Sequence, residues 1–134
     1  MTLNNAGLTV NGTFVSASDR NLKENFAAVN ARAVLEKVSA LPLQSWNYRE
    51  DSTTRHLGPM AQDFHAAFGV GADDKHIATV DAEGVALAAI QGLNQKLEQT
   101  VKEKDAEIQT LRRDLAELRQ AVSLLARHLD GGNP

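Results

Sequence analysis

The chain has 134 residues, room for one modest core, and any long rod within it leaves the globular part smaller still. Its 14 Lys plus Arg stand against 17 Asp plus Glu, a net charge of -3 that gives no electrostatic footprint for nucleic acid or an anionic membrane. Without cysteine there is no disulfide stapling and no thiolate chemistry, and the longest apolar run, "VALAAI", is far too short to span a bilayer.

The opening "MTLNNAGLTV" has neither the basic start nor the apolar stretch of a secretory leader. In "LTVNGTFV" two apolar, β-branched runs flank Asn11-Gly12, the pair that type I′ turns favour because both central residues need positive φ. The pattern predicts a β-hairpin over residues 8 to 15, too small to stand alone. From Ser18 the texture is mixed. "NARAVLEKVSAL" puts Ala33, Val34, Val38 and Leu41 on one side of a helix that Pro42 stops. A strand follows in "LQSWNYR". In "HLGPMAQDFHAAFGVG", Gly58-Pro59 reads as a turn, the proline as part of a short helix's first turn, and Gly69 or Gly71 as its exit. "GVGADDKHIATVDAEG" lacks the spacing of a calcium loop or a phosphate-cradling loop and reads as a solvated connection. These pieces make a small α+β body.

The remainder is a rod. Heptads counted back from Leu129 place Leu87, Asn94, Val101, Ile108, Leu115, Val122 and Leu129 at a, and Ile90, Leu97, Lys104, Leu111, Leu118 and Leu125 at d, so eleven of thirteen sites are aliphatic. A 3.5-residue repeat over roughly six heptads, without proline and with Gly92 as its weak spot, predicts a coiled coil of about 60 Å. Glu107 at g faces Arg112 at the next e, and Asp114 faces Arg119, pairs that only parallel, in-register strands can make. The residue types at a and d leave two or three strands open. The domain plan is a β segment over 1–17, a body over 18–86, the coiled-coil helix over 87–130 and a flexible tail over 131–134.

Few residues carry candidate chemistry. His56, His65, His76 and His128 stand singly, with no i,i+4 pair and no cysteine partner, which disfavours a metal site. Trp46, Tyr48, Phe26, Phe64 and Phe68 lack an adjoining basic patch and read as core. In "SASDRNLKENF" Ser18 stands five residues before Lys23, a pair that arises by chance in a chain this long roughly half the time. Spacing alone favours an ordinary role: Ser18 as a helix cap, Asp19 in the first turn, and an Asp19-Lys23 pair at i,i+4.

"SDRNLKENF", "VLEKVSALPLQSWNYR", "RHLGPMAQDFHAAFG" and "IATVDAEGVALAAIQGLNQKLE" follow one another in the order seen in a known family. Over about Ser18 to Glu98 the chain resembles the C-terminal intramolecular chaperone, or peptidase S74, domain of phage endosialidases, tail spikes and tail fibres. The most specific pieces are the Ser-Asp-x-x-Leu-Lys opening, the Gly58-Pro59-Met60-Ala61-Gln62-Asp63-Phe64 block, and Val80-Asp81 leading into "GVALAAIQGLNQ".

The resemblance implies a homotrimer that helps an upstream β-rich fibre of the same polypeptide to fold, then cuts itself off with a serine-lysine dyad. Ser18 and Lys23 occupy the dyad positions, and the β leader becomes the end of the passenger. It implies three strands in the coiled coil, which the heptad positions Leu87, Ile90, Leu97, Val101, Ile108, Leu111, Leu115, Leu118, Val122 and Leu125 would close. The charge balance, the scattered histidines and the short apolar runs lead to the expectation of no cofactor, no metal, no nucleic acid and no membrane partner. The work would be done in the cytoplasm of the infected or host bacterium during virion assembly, with the released fragment absent from the mature particle. Physically, three intertwined β-chains must pair in register, and a parallel coiled coil lowers that search by holding them at high effective concentration.

The chemistry sets conditions. A serine hydroxyl needs a base, and a lysine serves only where its surroundings disfavour the ammonium form, so Lys23 should be shielded. In a continuous helix residues five apart point some 140° away from each other, so Ser18 must lie in extended or turn conformation to meet Lys23. Attack by the Ser18 oxygen on the Ala17 carbonyl closes a five-membered ring, which places the cut at Ala17-Ser18. Cleavage at Ser18-Asp19 is the alternative.

Overall fold

The computed structural model describes the backbone of residues 2–4 and all of residues 7–132; Met1, Asn5, Ala6, Asn133 and Pro134 lie outside the described residues. It is an α+β chain with short strands near its start, a second two-stranded sheet, two short helices and one long C-terminal helix. It divides into two compact units, Met1–Leu93 and Asn94–Pro134.

In the first unit β1 (Thr2–Asn4) pairs antiparallel with β2 (Gly7–Thr9), with Leu3 opposite Leu8. The hairpin predicted over residues 8 to 15 is therefore misplaced. Asn11 does not take the positive φ that a type I′ turn demands; Gly12 alone does, at 135°, and the pair forms a bend. Residues 13–19 have no regular structure, and a single 3₁₀ turn follows at Arg20–Leu22.

Helix α1 (Ala31–Ala40) starts at an extended Asn30 whose side chain accepts the Ala33 N–H at 3.0 Å, satisfying one of the donors a helix start leaves free. It ends at Leu41, extended at φ -68° and ψ 125°, the conformation that a following proline imposes. Its inward face runs through Ala31, Leu35 and Val38, at the i, i+4, i+7 spacing of one helix side. Strand β3 (Gln44–Trp46) pairs antiparallel with β4 (His56–Gly58), Gln44 opposite Gly58 and Trp46 opposite His56. The reading of Gly58-Pro59 as a turn missed β4. Because Gly58 closes that strand, Pro59 stands ahead of the Met60 cap, outside the first turn of α2 (Ala61–Phe68). Gly69 ends α2 in left-handed conformation at φ 64°, its N–H bonded to the His65 carbonyl at 2.8 Å.

The long helix α3 (Thr79–Asp130) begins ahead of Leu87, the first heptad position. Within the first unit it meets α1 at Gly92, where an added Cβ would overlap the Ala31 carbonyl and press on the Leu35 Cβ at 3.0 Å. The glycine that reads as a weak spot in the heptads is a point of close helix approach. Ala31, Phe64, Ala89 and Gly92 are buried, while most of the large apolar side chains are exposed. In the second unit α3 continues to Asp130 and closes with a Gly131 N–H bonded to the Arg127 carbonyl at 3.0 Å. No helix among the described residues is long and apolar enough to cross a membrane.

Candidate functional site

Ser18 and Lys23 are brought together. The Lys23 Nζ donates to the Ser18 Oγ at 2.6 Å, a short, charge-assisted bond. The backbone that allows this is not an α-helix. Ser18 lies in irregular chain, Asp19 is extended at φ -63° and ψ 132°, three residues make the 3₁₀ turn, and Lys23 is extended again at φ -124° and ψ 152°. Asp19 caps the turn: its Oδ1 accepts the Asn21 backbone N–H at 2.9 Å and the Asn21 Nδ2 at 3.1 Å.

The ordinary reading of the stretch is corrected at each residue. Ser18 caps no helix, Asp19 occupies the cap, and no ion pair joins Asp19 to Lys23 among the described residues. Asn21 went unnoticed in the sequence, although Asp two residues before a turn amide is the signature of an Asx-turn. Two residues beyond Lys23, Asn25 takes φ 57°, the one non-glycine among the described residues in that region, which asparagine tolerates better than other side chains.

Ser18 and Lys23 are both exposed in the single chain, so the shielding that lysine-base chemistry requires is not supplied by this chain's own described residues. The apolar side chains around them are exposed as well: Phe14 (74%), Leu22 (73%) and Phe26 (69%). Phe26 is therefore not core as the sequence suggests, and neither is Tyr48, which is 59% exposed. Ala17 is exposed and offers little steric obstruction at the bond before Ser18.

The other aromatic candidates gather elsewhere. Trp46, Tyr48 and His56 pack around the β3–β4 pair with ring centroids 4.8 to 5.4 Å apart, and Phe64 packs on Phe68 at 4.9 Å. The Trp46 Nε1 is buried without a hydrogen-bond partner. Arg55 braces this sheet, donating to the Asn47 Oδ1, the Ser45 carbonyl and the Ser45 Oγ at 3.0 to 3.3 Å. In the loop between the strands, hydrogen bonds from Thr54 and Thr53 hold the Asp51 carboxyl at about 2, well below the usual carboxylate range. His65 and His76 are spent locally, the first on the Val70 carbonyl at 3.0 Å and the second on Asp73 at 3.0 Å.

On α3 all the apolar positions named for self-association are exposed, from 45% at Ile108 to 64% at Leu87. Lys104, at a d position, donates to Glu107 at 2.7 Å, and Asn94, at an a position, donates to the Glu98 Oε1 at 2.9 Å, so both polar interruptions of the aliphatic row are paired within their own helix.

Residues 18–70 match the model of the Peptidase_S74 family, described as chaperone of endosialidase. The matched segment holds the 3₁₀ turn with Ser18 and Lys23, then α1, β3, β4 and α2. It stops short of the Val80-Asp81 block, where the sequence resemblance runs on to Glu98. No match is found among curated proteins.

Proposed function

We propose that this chain, whose residues 18–70 are similar to the chaperone of endosialidase, is a C-terminal intramolecular chaperone. It assembles as a homotrimer, assists the folding of an upstream β-rich fibre of its own polypeptide in the bacterial cytoplasm, and then releases itself at Ser18. The observation that carries the reading is the 2.6 Å bond between Lys23 Nζ and Ser18 Oγ inside the matched segment. A common spacing becomes informative once the two side chains meet.

In the release step Lys23, as the free amine, takes the Ser18 hydroxyl proton while the Oγ attacks the Ala17 carbonyl carbon. The five-membered adduct collapses with breakage of the Ala17-Ser18 C–N bond, and the proton passes to the leaving Ser18 nitrogen. The product is an ester of Ala17 on the Ser18 Oγ. Water hydrolyses it, giving an Ala17 carboxylate and a fragment that begins at Ser18. Attack on the Ser18 carbonyl would close a strained four-membered ring instead. Because the dyad is open to solvent in one chain, a neighbouring chain of the trimer supplies the shielding, which ties cutting to assembly.

The same exposure favours a second reading, a trimerising chaperone module that never cuts itself. One experiment separates them. Expressed behind a β-rich fibre segment, the wild-type chain should shed a C-terminal fragment of mass Ser18 to Pro134 without added protease, whereas Ser18→Ala and Lys23→Ala should each stay full length and still assemble. An intact wild-type fusion establishes the second reading. A fragment beginning at Asp19 rules out the acyl shift, and a Lys23→Ala variant that cuts at the wild-type rate removes Lys23 from the mechanism.

A further inference from the structure

We propose that Asp19 is the positioning residue of the dyad: with Asn21 it forms a clamp that folds the chain between Ser18 and Lys23 and so sets their distance. The inference deepens the self-release reading and rests on it.

The need for a clamp follows from reach. An extended chain would separate Ser18 and Lys23 by roughly 17 Å between Cα atoms, while a lysine amine reaches only about 6 Å from its own Cα. Contact at 2.6 Å therefore requires the intervening residues to be folded. An α-helix would fold them but send the two side chains to different sides. The 3₁₀ turn at Arg20–Leu22 folds them while leaving the residues on either side extended. A three-residue 3₁₀ turn has poor hydrogen-bond geometry and seldom persists unaided.

Four hydrogen bonds hold it. The Leu22 N–H reaches the Asp19 carbonyl and the Lys23 N–H reaches the Arg20 carbonyl, each at 3.1 Å. The Asp19 carboxylate then accepts the Asn21 N–H at 2.9 Å, the one amide within the turn that those two bonds leave over apart from that of Arg20, and it takes the Asn21 Nδ2 at 3.1 Å as well. Its charge is directed to Asn21, and the Lys23 ammonium is directed to Ser18. The role of Asp19 is thus that of a hydrogen-bond acceptor at a cap, which asparagine fills about as well and alanine cannot.

The test uses the same fibre fusion, with the 134-residue chain as a second sample. Asp19→Ala should slow fragment release roughly fivefold or more, as loss of a cap does, while assembly and helix content stay as in wild type. Asp19→Asn should restore release to within about twofold. Release from Asp19→Ala at the wild-type rate overturns the clamp. Failure of Asp19→Asn alongside Asp19→Ala also overturns it, because charge rather than capping would then be the requirement. If the wild-type fusion does not cut at all, the self-release reading falls, and amide hydrogen exchange in the 134-residue chain decides the clamp. The Asn21 and Leu22 amides should exchange more slowly in wild type and Asp19→Asn than in Asp19→Ala, and equal exchange in the three proteins overturns it.

Discussion

Single carboxylates do much of the local work in this chain, and each does it as an acceptor for backbone amides. Asp19 caps the turn between Ser18 and Lys23, and Asp51 gathers the Thr53 and Thr54 amides and the Thr53 hydroxyl onto one oxygen at 2.8 to 3.1 Å. Those bonds favour the ionised form of Asp51, so its folded value of about 2 lies below the 3.8 of an unperturbed aspartate. A group depressed in the folded state contributes stability above its unfolded value and loses it as pH falls through its folded one. The contribution of Asp51 is therefore complete above pH 4 and fades between about 4 and about 2. The side-chain carboxyl carbon of Asp51, followed by NMR in acid, should titrate with a midpoint near 2. A midpoint near 4 would show that the threonine bonds do not persist in solution.

Among the elements, the contact between α1 and α3 decides most, because it is made by backbone atoms. Gly92 leaves no room for a methyl group against the Ala31 carbonyl, whereas nothing lies within 4 Å of a Cβ at Gly84 on the same helix. The two glycines should therefore respond oppositely to alanine. Gly92→Ala should lower stability by about 1 to 3 kcal/mol through overpacking. Gly84→Ala should raise it by up to about 1 kcal/mol, the gain in helix propensity. Urea unfolding of both variants at one protein concentration checks this, and equal effects at the two positions would place α1 elsewhere on α3.

At the scale of the molecule, burial is thin: among the described residues Phe64 is the only large apolar side chain that is buried, and the aliphatic row of α3 is exposed. Full burial of a leucine is worth roughly 1.5 to 3 kcal/mol, so under the proposed function burying this row between chains would supply the drive to assemble. Under the proposed function light scattering at micromolar concentration should give three times the 14.5 kDa chain mass. Truncating Leu111 and Leu118 together to alanine should shift the molecule toward monomer. A wild-type monomer would sink both chaperone readings, and a wild-type dimer would set the a and d residue types above the family resemblance.

The long helix, α1 and α2 were legible in the sequence because their signals are local. An aliphatic residue every third or fourth position, the stop at Pro42 and a glycine exit at Gly69 or Gly71 are each written within a turn or two of where they act. Ser18 and Lys23 were legible only through resemblance, since the same spacing is common by chance. Only the tertiary structure decided the rest. It moved the hairpin toward the start of the chain because Asn11 keeps φ out of the positive region, and it paired Gln44 with Gly58 to make a strand that no alternation announces. It also set Gly92 against Ala31 and brought Lys23 to Ser18 across the turn that Asp19 caps. The physical reason is that a period or a cap is a property of neighbouring residues, whereas a strand partner, a close backbone approach or a five-residue contact depends on where the chain returns.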